Sequence, residues 1–293
     1  MDTVEKVLFR ASGSGALMTN PQGVGITAVQ LAKIDELLKE KLTGVNANGN
    51  KVKWEGTKKP DELAELIAKR DAPPQLSATA KAFVRKVWLQ NKKGFIKDIK
   101  SKYLDKGLYR EEDAITLLTE VDNTVYVKNE ERRENEDHTG ECDIFKVVNG
   151  IRIVTDTKCS WDPETFMAAK PDTDYEWQGR VYMELWGADE FHLKYCLVDA
   201  PPHLVQKEKD NAKWKYYSGD MTDAELDLFE KAMEPIYDQI ERNMVYSTNP
   251  NFTKEERVKT FIFYRDREKM KLMAERVKMA RDYYKTITLN GKN

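Results

Sequence analysis

The sequence predicts a fold of the α/β class, mixed α+β in the order of its elements. Between residues 25 and 121, apolar positions recur mainly at helical spacing. Residues 123–159 hold short β-branched runs bounded by polar turns, which are typical of strands. Beyond residue 222 the pattern returns to long, charged amphipathic stretches. Helices therefore precede and follow a β-rich centre.

The first part of the chain is predicted to be mainly helical. Helices are expected at residues 25–42 and 60–71, with Pro60 in a first turn where proline is tolerated, and a Gly/Asn/Lys-rich loop between them. A third helical pattern runs from Ser77 to about Val121. We expect it to be broken near residues 105–107.

The centre and the end of the chain complete the prediction. Three strands are expected at residues 123–129, 141–148 and 151–158, then a helix at 175–187 and a strand at 190–200. Two terminal helices are predicted, from Thr222 to about Asn243 and from Lys254 to about Tyr284. We expect one domain over residues 1–293, with a helical part at 1–121, a sheet core at 122–200 and C-terminal helices at 201–293.

Composition bounds the class of protein. The chain has 293 residues, and its 40% apolar content can fill a sizeable core. Its charged residues, 33% of the chain, sum to a net charge of -2, so a nucleic-acid-binding surface must be a local patch. With no membrane-length apolar run and no signal-peptide pattern, we expect a cytoplasmic protein. Cys142, Cys159 and Cys196 lack disulfide-framework and zinc-site spacing, so we expect reduced thiols.

A hairpin in the β-rich centre carries the first candidate site. Asn149-Gly150 between two β-rich runs predicts a two-residue turn, because both turn positions need positive φ. Counting outward from this turn places Asp143 opposite Asp156. Side chains alternate along a strand, so Lys158 lies on the same face as both aspartates.

Two directly opposed carboxylates repel each other, and a divalent cation between them would remove that cost. Mg²⁺ takes oxygen ligands and keeps waters, which leaves room for phosphate oxygens. Lys158 could orient a water or offset charge on the phosphate. Asp143, Asp156 and Lys158 thus indicate metal-assisted phosphodiester hydrolysis. The alternative is an edge hairpin that exposes both aspartates to water.

Asp143 and the run Asp156-Thr157-Lys158 resemble the signature of the PD-(D/E)xK nuclease superfamily. More specifically, the chain resembles the phage lambda exonuclease and YqaJ-type viral recombinase family through four segments between about residues 8 and 200. The most specific of them is the hairpin extended by "KCSWDPETF". The resemblance implies a restriction-endonuclease-like core, in which helices flank a central mixed β-sheet, with helical additions at both ends.

Two further segments carry roles that the resemblance implies. In "FRASGSGALM", Ser12 takes the place of a serine that holds the 5′-phosphate of the DNA end, with Arg10 as a nearby candidate. In "GLYREEDAITLLTE", Glu111 takes the place of a metal-binding glutamate, with Glu112 and Asp113 as adjacent competitors.

The fourth segment is "YEWQGRVYM". By resemblance, Gln178 contacts the catalytic centre or the DNA backbone, and Tyr182 lies on the same helical face. The backbone carbonyl of Thr157 is a further implied metal ligand. Two positions depart from the family: Arg180 replaces a glutamine and can contact phosphate, and Glu141 stands where a phosphate-binding serine is usual.

Together these features predict a Mg²⁺-dependent exonuclease that degrades one strand of linear double-stranded DNA from an end, 5′ to 3′, in phage-type recombination. Two ions, Mg²⁺ or also Mn²⁺, would be held by Glu111, Asp143 and Asp156. The resemblance also implies a homo-oligomeric ring around DNA and a single-strand annealing protein as partner. A phage-encoded chain would act in the host cytoplasm.

Other interpretations stay open from the sequence. An endonuclease or a RecB-like single-strand nuclease can use the same core, although the iron–sulfur members need four cluster cysteines and this chain has three. A catalytically inactive DNA-binding protein is the third alternative, which the intact Asp143, Asp156 and Lys158 disfavour. His138 lies in a charged loop, and we expect it to be exposed and outside the site.

Overall fold

A computed structural model describes residues 6–20, 27–97 and 102–289. The chain divides into two compact units. One contains the described residues up to Gly15 and from Gly94 to Lys271, and the other those from Ala16 to Lys93 and from Leu272 onward. None of the described helices is long and apolar enough to cross a membrane.

Within the described residues the chain forms seven strands and ten α-helices. The strands are β1 (Phe9–Arg10), β2 (Arg133–Glu134), β3 (His138–Gly140), β4 (Ile144–Val148), β5 (Ile151–Cys159), β6 (Glu190–Cys196) and β7 (Val258–Tyr264). The helices are α1 (Ser14–Met18), α2 (Ala28–Thr43), α3 (Lys59–Asp71), α4 (Ala78–Lys93), α5 (Lys102–Val121), α6 (Pro163–Ala168), α7 (Thr173–Trp186), α8 (Pro202–Tyr216), α9 (Asp223–Met244) and α10 (Arg267–Thr286).

The larger sheet has the strand order β4-β5-β6-β7. Strands β4 and β5 are antiparallel, β5 and β6 are parallel, and β6 and β7 are antiparallel. The parallel pair requires a crossover connection, which α6 and α7 supply. A smaller sheet has the order β1-β3-β2. The mixed α+β class with a central mixed sheet is therefore confirmed.

The predicted hairpin is also confirmed. Asn149 and Gly150 have φ values of 51° and 83°, as a two-residue turn between strands requires. The register continues outward to the pair of Ile144 and Thr155. One step further the ladder ends, and the Asp143 amide donates to the Thr155 carbonyl over 3.1 Å.

Helix α7 lies against the sheet at a glycine. A Cβ atom on Gly179 would be 1.9 Å from the Phe191 ring of β6, so only glycine allows this approach. The flanking Val181 and Met183 are fully buried. This close contact fixes the position of Gln178, the residue before the glycine.

Helix α5 buries one face against the sheet. Its apolar residues pack with residues of the strands and of the following segments in one cluster: Ala114, Ile115, Leu117, Leu118, Tyr126, Ile144, Cys196 and Val198. Glu111 lies three residues before Ala114, so it continues the buried face at the N-terminal side. Because α5 packs against the sheet in this way, Glu111 lies near the end of the hairpin.

The second unit contains α2, α3 and α4. Thr27 caps α2 in a capping box with Gln30, and Ile34 and Leu37 pack against Leu63 of α3. These helices agree with the predictions for residues 25–42 and 60–71, apart from residues 25 and 26, which lie outside the described residues.

The predicted helix break near residues 105–107 is wrong, since α5 runs through Gly107. Helix α4 ends at Lys93 instead, and Gly94 has a φ of 63°, a conformation that commonly ends helices. The predicted helix from Lys254 is wrong in its first part, which forms β7. The run "VKTFIFY" is rich in β-branched and aromatic residues, and pairing with β6 overrides its helical spacing.

The predicted strand at residues 123–129 is also wrong. Tyr126 is buried and its hydroxyl donates to Asp122 over 2.6 Å, while its amide donates to Thr119. These bonds hold the segment to the end of α5 rather than to a strand. His138, which we expected to be exposed, is 1% exposed in β3, where it pairs with Phe9 and lies 3.5 Å from Glu184.

Candidate active site

Asp156 lies at the carboxyl end of β5 and is 3% exposed. Its Oδ2 atom forms an ion pair with the Lys158 ammonium. Its Oδ1 atom accepts a hydrogen bond of 3.2 Å from Nε2 of Gln178, which also donates to the Tyr182 hydroxyl over 2.8 Å. The structure thus brings Asp156, Lys158, Gln178 and Tyr182 together, as predicted from the sequence.

Asp143 lies directly before β4, and Thr157 of β5 forms hydrogen bonds with it. One carboxylate oxygen, Oδ2, accepts from the Thr157 amide over 2.5 Å and from the Thr157 hydroxyl over 2.6 Å. Burial, and after it the charge of Asp156, raises the pKa of Asp143. The two aspartates therefore interact across the hairpin, although the strand ladder ends before them.

Glu111 approaches the aspartates from α5. Its Oε1 atom lies 3.3 Å from the Lys128 ammonium. Burial and the charge of Asp143 raise the pKa of Glu111, and Lys128 offsets part of this rise. Three acidic side chains thus share one region with two lysines.

Glu111, Asp143 and Lys158 line a cleft of about 700 Å³. The lining residues are Ser12, Gly107, Leu108, Glu111, Asp143, Thr157, Lys158, Cys159, Ser160, Trp161, Thr165, Tyr175, Gln178 and Tyr195. Asp156 lies behind this lining, covered by its neighbours. Of the three adjacent acids on α5, Glu111 lines the cleft, whereas Asp113 pairs with Arg110 on another face.

Lys158 is held from two sides. Its ammonium pairs with Asp156 and lies 4.6 Å from the centre of the Tyr175 ring. Burial alone would lower the pKa of Lys158, but the charge and hydrogen bond of Asp156 together with the charge of Asp143 outweigh it, and the net shift is upward. Lys158 is therefore an ammonium ion near neutral pH, suited to donating hydrogen bonds and offsetting negative charge.

The residues expected to bind a terminal phosphate are spread apart. Ser12 lines the cleft, whereas Arg10 is exposed on β1 and is not among its lining residues. Arg180 is 3% exposed, and its Nε and Nη2 atoms donate to Glu176. Glu141, which stands where a phosphate-binding serine is usual, forms an ion pair of 3.1 Å with Arg132.

The acidic residues are not arranged as a ready-made metal site. In the described part of the chain no three His, Cys, Asp or Glu side chains converge closely enough to hold an ion. Instead, Lys128 forms an ion pair with Glu111, and Lys158 forms one with Asp156. The donors are nevertheless carboxylates, which suit a hard cation, and Oδ2 of the buried Asp156 has its ammonium neighbour but no hydrogen bond of normal geometry. The donor set therefore fits a hard divalent cation.

Two residues of this site were absent from the sequence prediction. Tyr175 lies three residues before Gln178 on α7, so helical spacing alone would have placed both on one face. Lys128 carried no such signal, because it lies in the segment wrongly predicted as a strand.

No family model and no curated protein matches the chain. Among solved structures, it is similar to a phage-related exonuclease from Haemophilus somnus 129PT, with 25% identity and a TM-score of 0.57 over 96% of this chain and 94% of that one. An alkaline exonuclease, LHK-Exo, from Laribacter hongkongensis has 10% identity and a TM-score of 0.48 over 96% and 89% of the chains. LHK-Exo in complex with dAMP has 11% identity and a TM-score of 0.44 over 71% and 81%. The first likeness spans nearly all of both chains, and it confirms the resemblance to phage exonucleases that the four segments indicated.

Proposed function

We propose that this protein is a divalent-metal-dependent DNA exonuclease that degrades one strand of linear double-stranded DNA from an end, in the 5′ to 3′ direction. One observation carries the proposal. Asp143, Asp156, Lys158 and Gln178 meet beside one cleft with Glu111, in a chain that shares its fold with a phage-related exonuclease.

Glu111, Asp143, Asp156 and the Thr157 carbonyl would hold the metal, as one or two Mg²⁺ or Mn²⁺ ions. A metal held there would supply a water of lowered pKa and would polarise the phosphoryl group. Burial, and after it the charge of a neighbouring aspartate, raises the pKa of Glu111 and of Asp143, and a cation bound beside them would favour both carboxylates in their charged form.

The protein's own groups orient the reaction. Lys158 is clamped by Asp156 and Tyr175, so its ammonium is placed to orient the attacking water and offset charge that develops on the phosphate. As an ammonium, Lys158 acts there as a hydrogen-bond donor.

Gln178 and Thr157 keep the carboxylates in position. Gln178 donates to Asp156, and its bond with Tyr182 fixes the amide on the helix. Thr157 donates twice to one oxygen of Asp143, which leaves the other oxygen available. Such supporting bonds typically change metal affinity or activity by about 10- to 100-fold.

The test uses linear and closed circular duplex DNA, with Mg²⁺ or with EDTA, and three proteins. We expect the wild type to degrade linear DNA only with Mg²⁺, and Asp156→Ala to lose at least about 100-fold in rate. Asp113→Ala is the matched control, because it removes a carboxylate of α5 that lies outside the cleft.

Three outcomes would change the proposal. Cutting of closed circles would indicate an endonuclease. No metal-dependent cleavage of either DNA would contradict an enzymatic function and favour an inactive DNA-binding protein. Release of nucleotides from a 3′-labelled end before a 5′-labelled end would reverse the polarity. A comparison of 5′-phosphate with 5′-hydroxyl ends, in wild type and Ser12→Ala, tests the role of Ser12.

We also propose the setting that the resemblance implies: phage-type recombination, with a single-strand annealing protein as partner and a homo-oligomeric ring around the DNA. The support is the likeness to a phage-related exonuclease. Light scattering gives the oligomeric state, and co-purification with a candidate annealing protein tests the partnership.

A further inference from the structure

Lys128 and Glu111 form an ion pair at the edge of the candidate site. The distance between Nζ and Oε1 is 3.3 Å, and the side chains are 37% and 27% exposed. Glu111 lines the cleft, whereas Lys128 reaches it from outside the lining. A pair exposed to this degree contributes little to stability and is easily exchanged.

The backbone on both sides of Lys128 is fixed. Two residues earlier, Tyr126 is buried and bonded to Asp122. The next residue, Asn129, donates its amide to the Asp143 carbonyl over 2.7 Å and its side chain to the Cys142 carbonyl over 2.9 Å. The long side chain of Lys128 can therefore move its ammonium group, while the backbone at Lys128 stays beside the site.

The two lysines of the site differ in their freedom to move. Lys158 is 25% exposed, pairs with a buried aspartate and lies over the Tyr175 ring. Lys128 pairs with the partly exposed Glu111. A doubly charged ion attracts a carboxylate more strongly than an ammonium does at the same distance. Of the two ammonium groups, that of Lys128 is therefore the easier one to displace.

We propose that Lys128 is a counter-ion of Glu111 which a divalent cation displaces, and that the displaced ammonium then binds a phosphate of the DNA backbone at the edge of the cleft. This inference rests on the proposed function, since it takes Glu111 as a metal ligand. It links metal binding to DNA binding through one side chain: the metal frees a cation that the DNA then uses. Lysine suits this second role because it binds phosphate as a point charge.

The inference predicts opposite effects of one substitution on two ligands. Lys128→Met removes the competitor for Glu111, so Mn²⁺ should bind about two- to five-fold more tightly, as isothermal titration calorimetry without DNA would measure. With Ca²⁺ in place of Mg²⁺, the same variant should bind a duplex end several-fold more weakly. The slope of its log affinity against log salt concentration should fall by about 1, as expected for the loss of one phosphate contact.

Two further variants sharpen the test. Lys254→Met is the matched control, because Lys254 pairs with Glu120 on the same helix α5 over 2.7 Å, and both side chains are exposed. It should change neither affinity. Lys128→Arg keeps the charge and should retain DNA binding and its salt slope. A merely structural role of Lys128 would instead lower both affinities together.

The outcomes separate this inference from the proposed function. If the wild type binds no Mn²⁺, the metal site itself is refuted, and the exchange with it. If the wild type binds Mn²⁺ but Lys128→Met binds it no more tightly, the exchange alone is refuted. An unchanged salt slope in Lys128→Met would likewise refute the contact with DNA.

Discussion

Lys106 is a fully buried lysine beside the candidate site. The cost of burying its charge can be measured as a pH dependence of the free energy of unfolding. Its ammonium donates to the Trp161 carbonyl over 3.0 Å and lies 5.9 Å and 5.4 Å from the ring centres of Trp161 and Tyr246. Burial lowers the pKa of Lys106 from 10.5 to about 8. The folded state therefore disfavours the charged form.

The sign and size of the effect follow from this shift. Between about pH 8 and 10.5 the unfolded chain binds more protons at Lys106 than the folded protein does, so stability rises with pH in this window. At about 1.4 kcal/mol per pKa unit, the charged form costs roughly 3 kcal/mol at pH 7. Roughly 2–3 kcal/mol of that cost disappears between pH 7 and 10.

The perturbation is Lys106→Met, which keeps the apolar stem and removes the charge. At pH 7 the relieved cost is offset by the lost hydrogen bond and ring contacts, about 1.5–3 kcal/mol for the bond alone, so we expect a small net change. The pH dependence is the sharper measurement. Urea unfolding of both proteins at pH 7, 8, 9 and 10 should show wild-type stability gaining roughly 2–3 kcal/mol relative to the variant.

Parallel pH profiles of the two proteins would refute this reasoning, because they would mean that Lys106 titrates alike in both states. Lys254→Met serves as the control for the method, since it removes an exposed lysine and leaves the surroundings of Lys106 intact.

Substitutions at three other positions test the site and its support. Gly179→Ala places a Cβ against Phe191 and should cost about 1–3 kcal/mol in urea unfolding, with lower activity per folded molecule. Tyr175→Leu removes the ring over Lys158 and should lower kcat about 2- to 30-fold with little change in KM. Tyr175→Phe keeps the ring and should retain the rate. Equal losses of kcat in the two variants would contradict a role of the ring. Asp143→Asn should abolish cleavage yet raise stability without metal by roughly 1–2 kcal/mol, and a lower stability would mean that the bonds from Thr157 outweigh the repulsion.

The hairpin was predictable because its determinants are local. Two turn residues with positive φ set the register, and strand alternation then decides which side chains share a face. Asp156 and Lys158 follow from that count alone. The count failed only at Asp143, where the chain leaves the ladder and Thr157 becomes its partner. Sequence spacing does not record where a ladder ends.

Helical spacing decides the position of Arg180, whereas the positions of Lys128 and β7 depend on long-range contacts. Arg180 lies two residues after Gln178, about 200° further round α7, and there it pairs with Glu176 away from the cleft lining. Helical spacing alone contained that information. The position of Lys128 depends on the hydrogen bond of the neighbouring Asn129 to the Asp143 carbonyl. The position of β7 depends on its pairing with β6, which lies far from it in the sequence.

The parallel pairing of β5 with β6 has a consequence for the order of folding. A two-residue hairpin forms within about 1–10 μs, whereas a parallel pair must wait for its crossover to close. Asp143 and Asp156 thus come together early, and Gln178 reaches Asp156 only when α7 docks. During that interval the two neighbouring aspartates lack Gln178 as a partner. Their repulsion therefore opposes the closing of the hairpin while the chain folds.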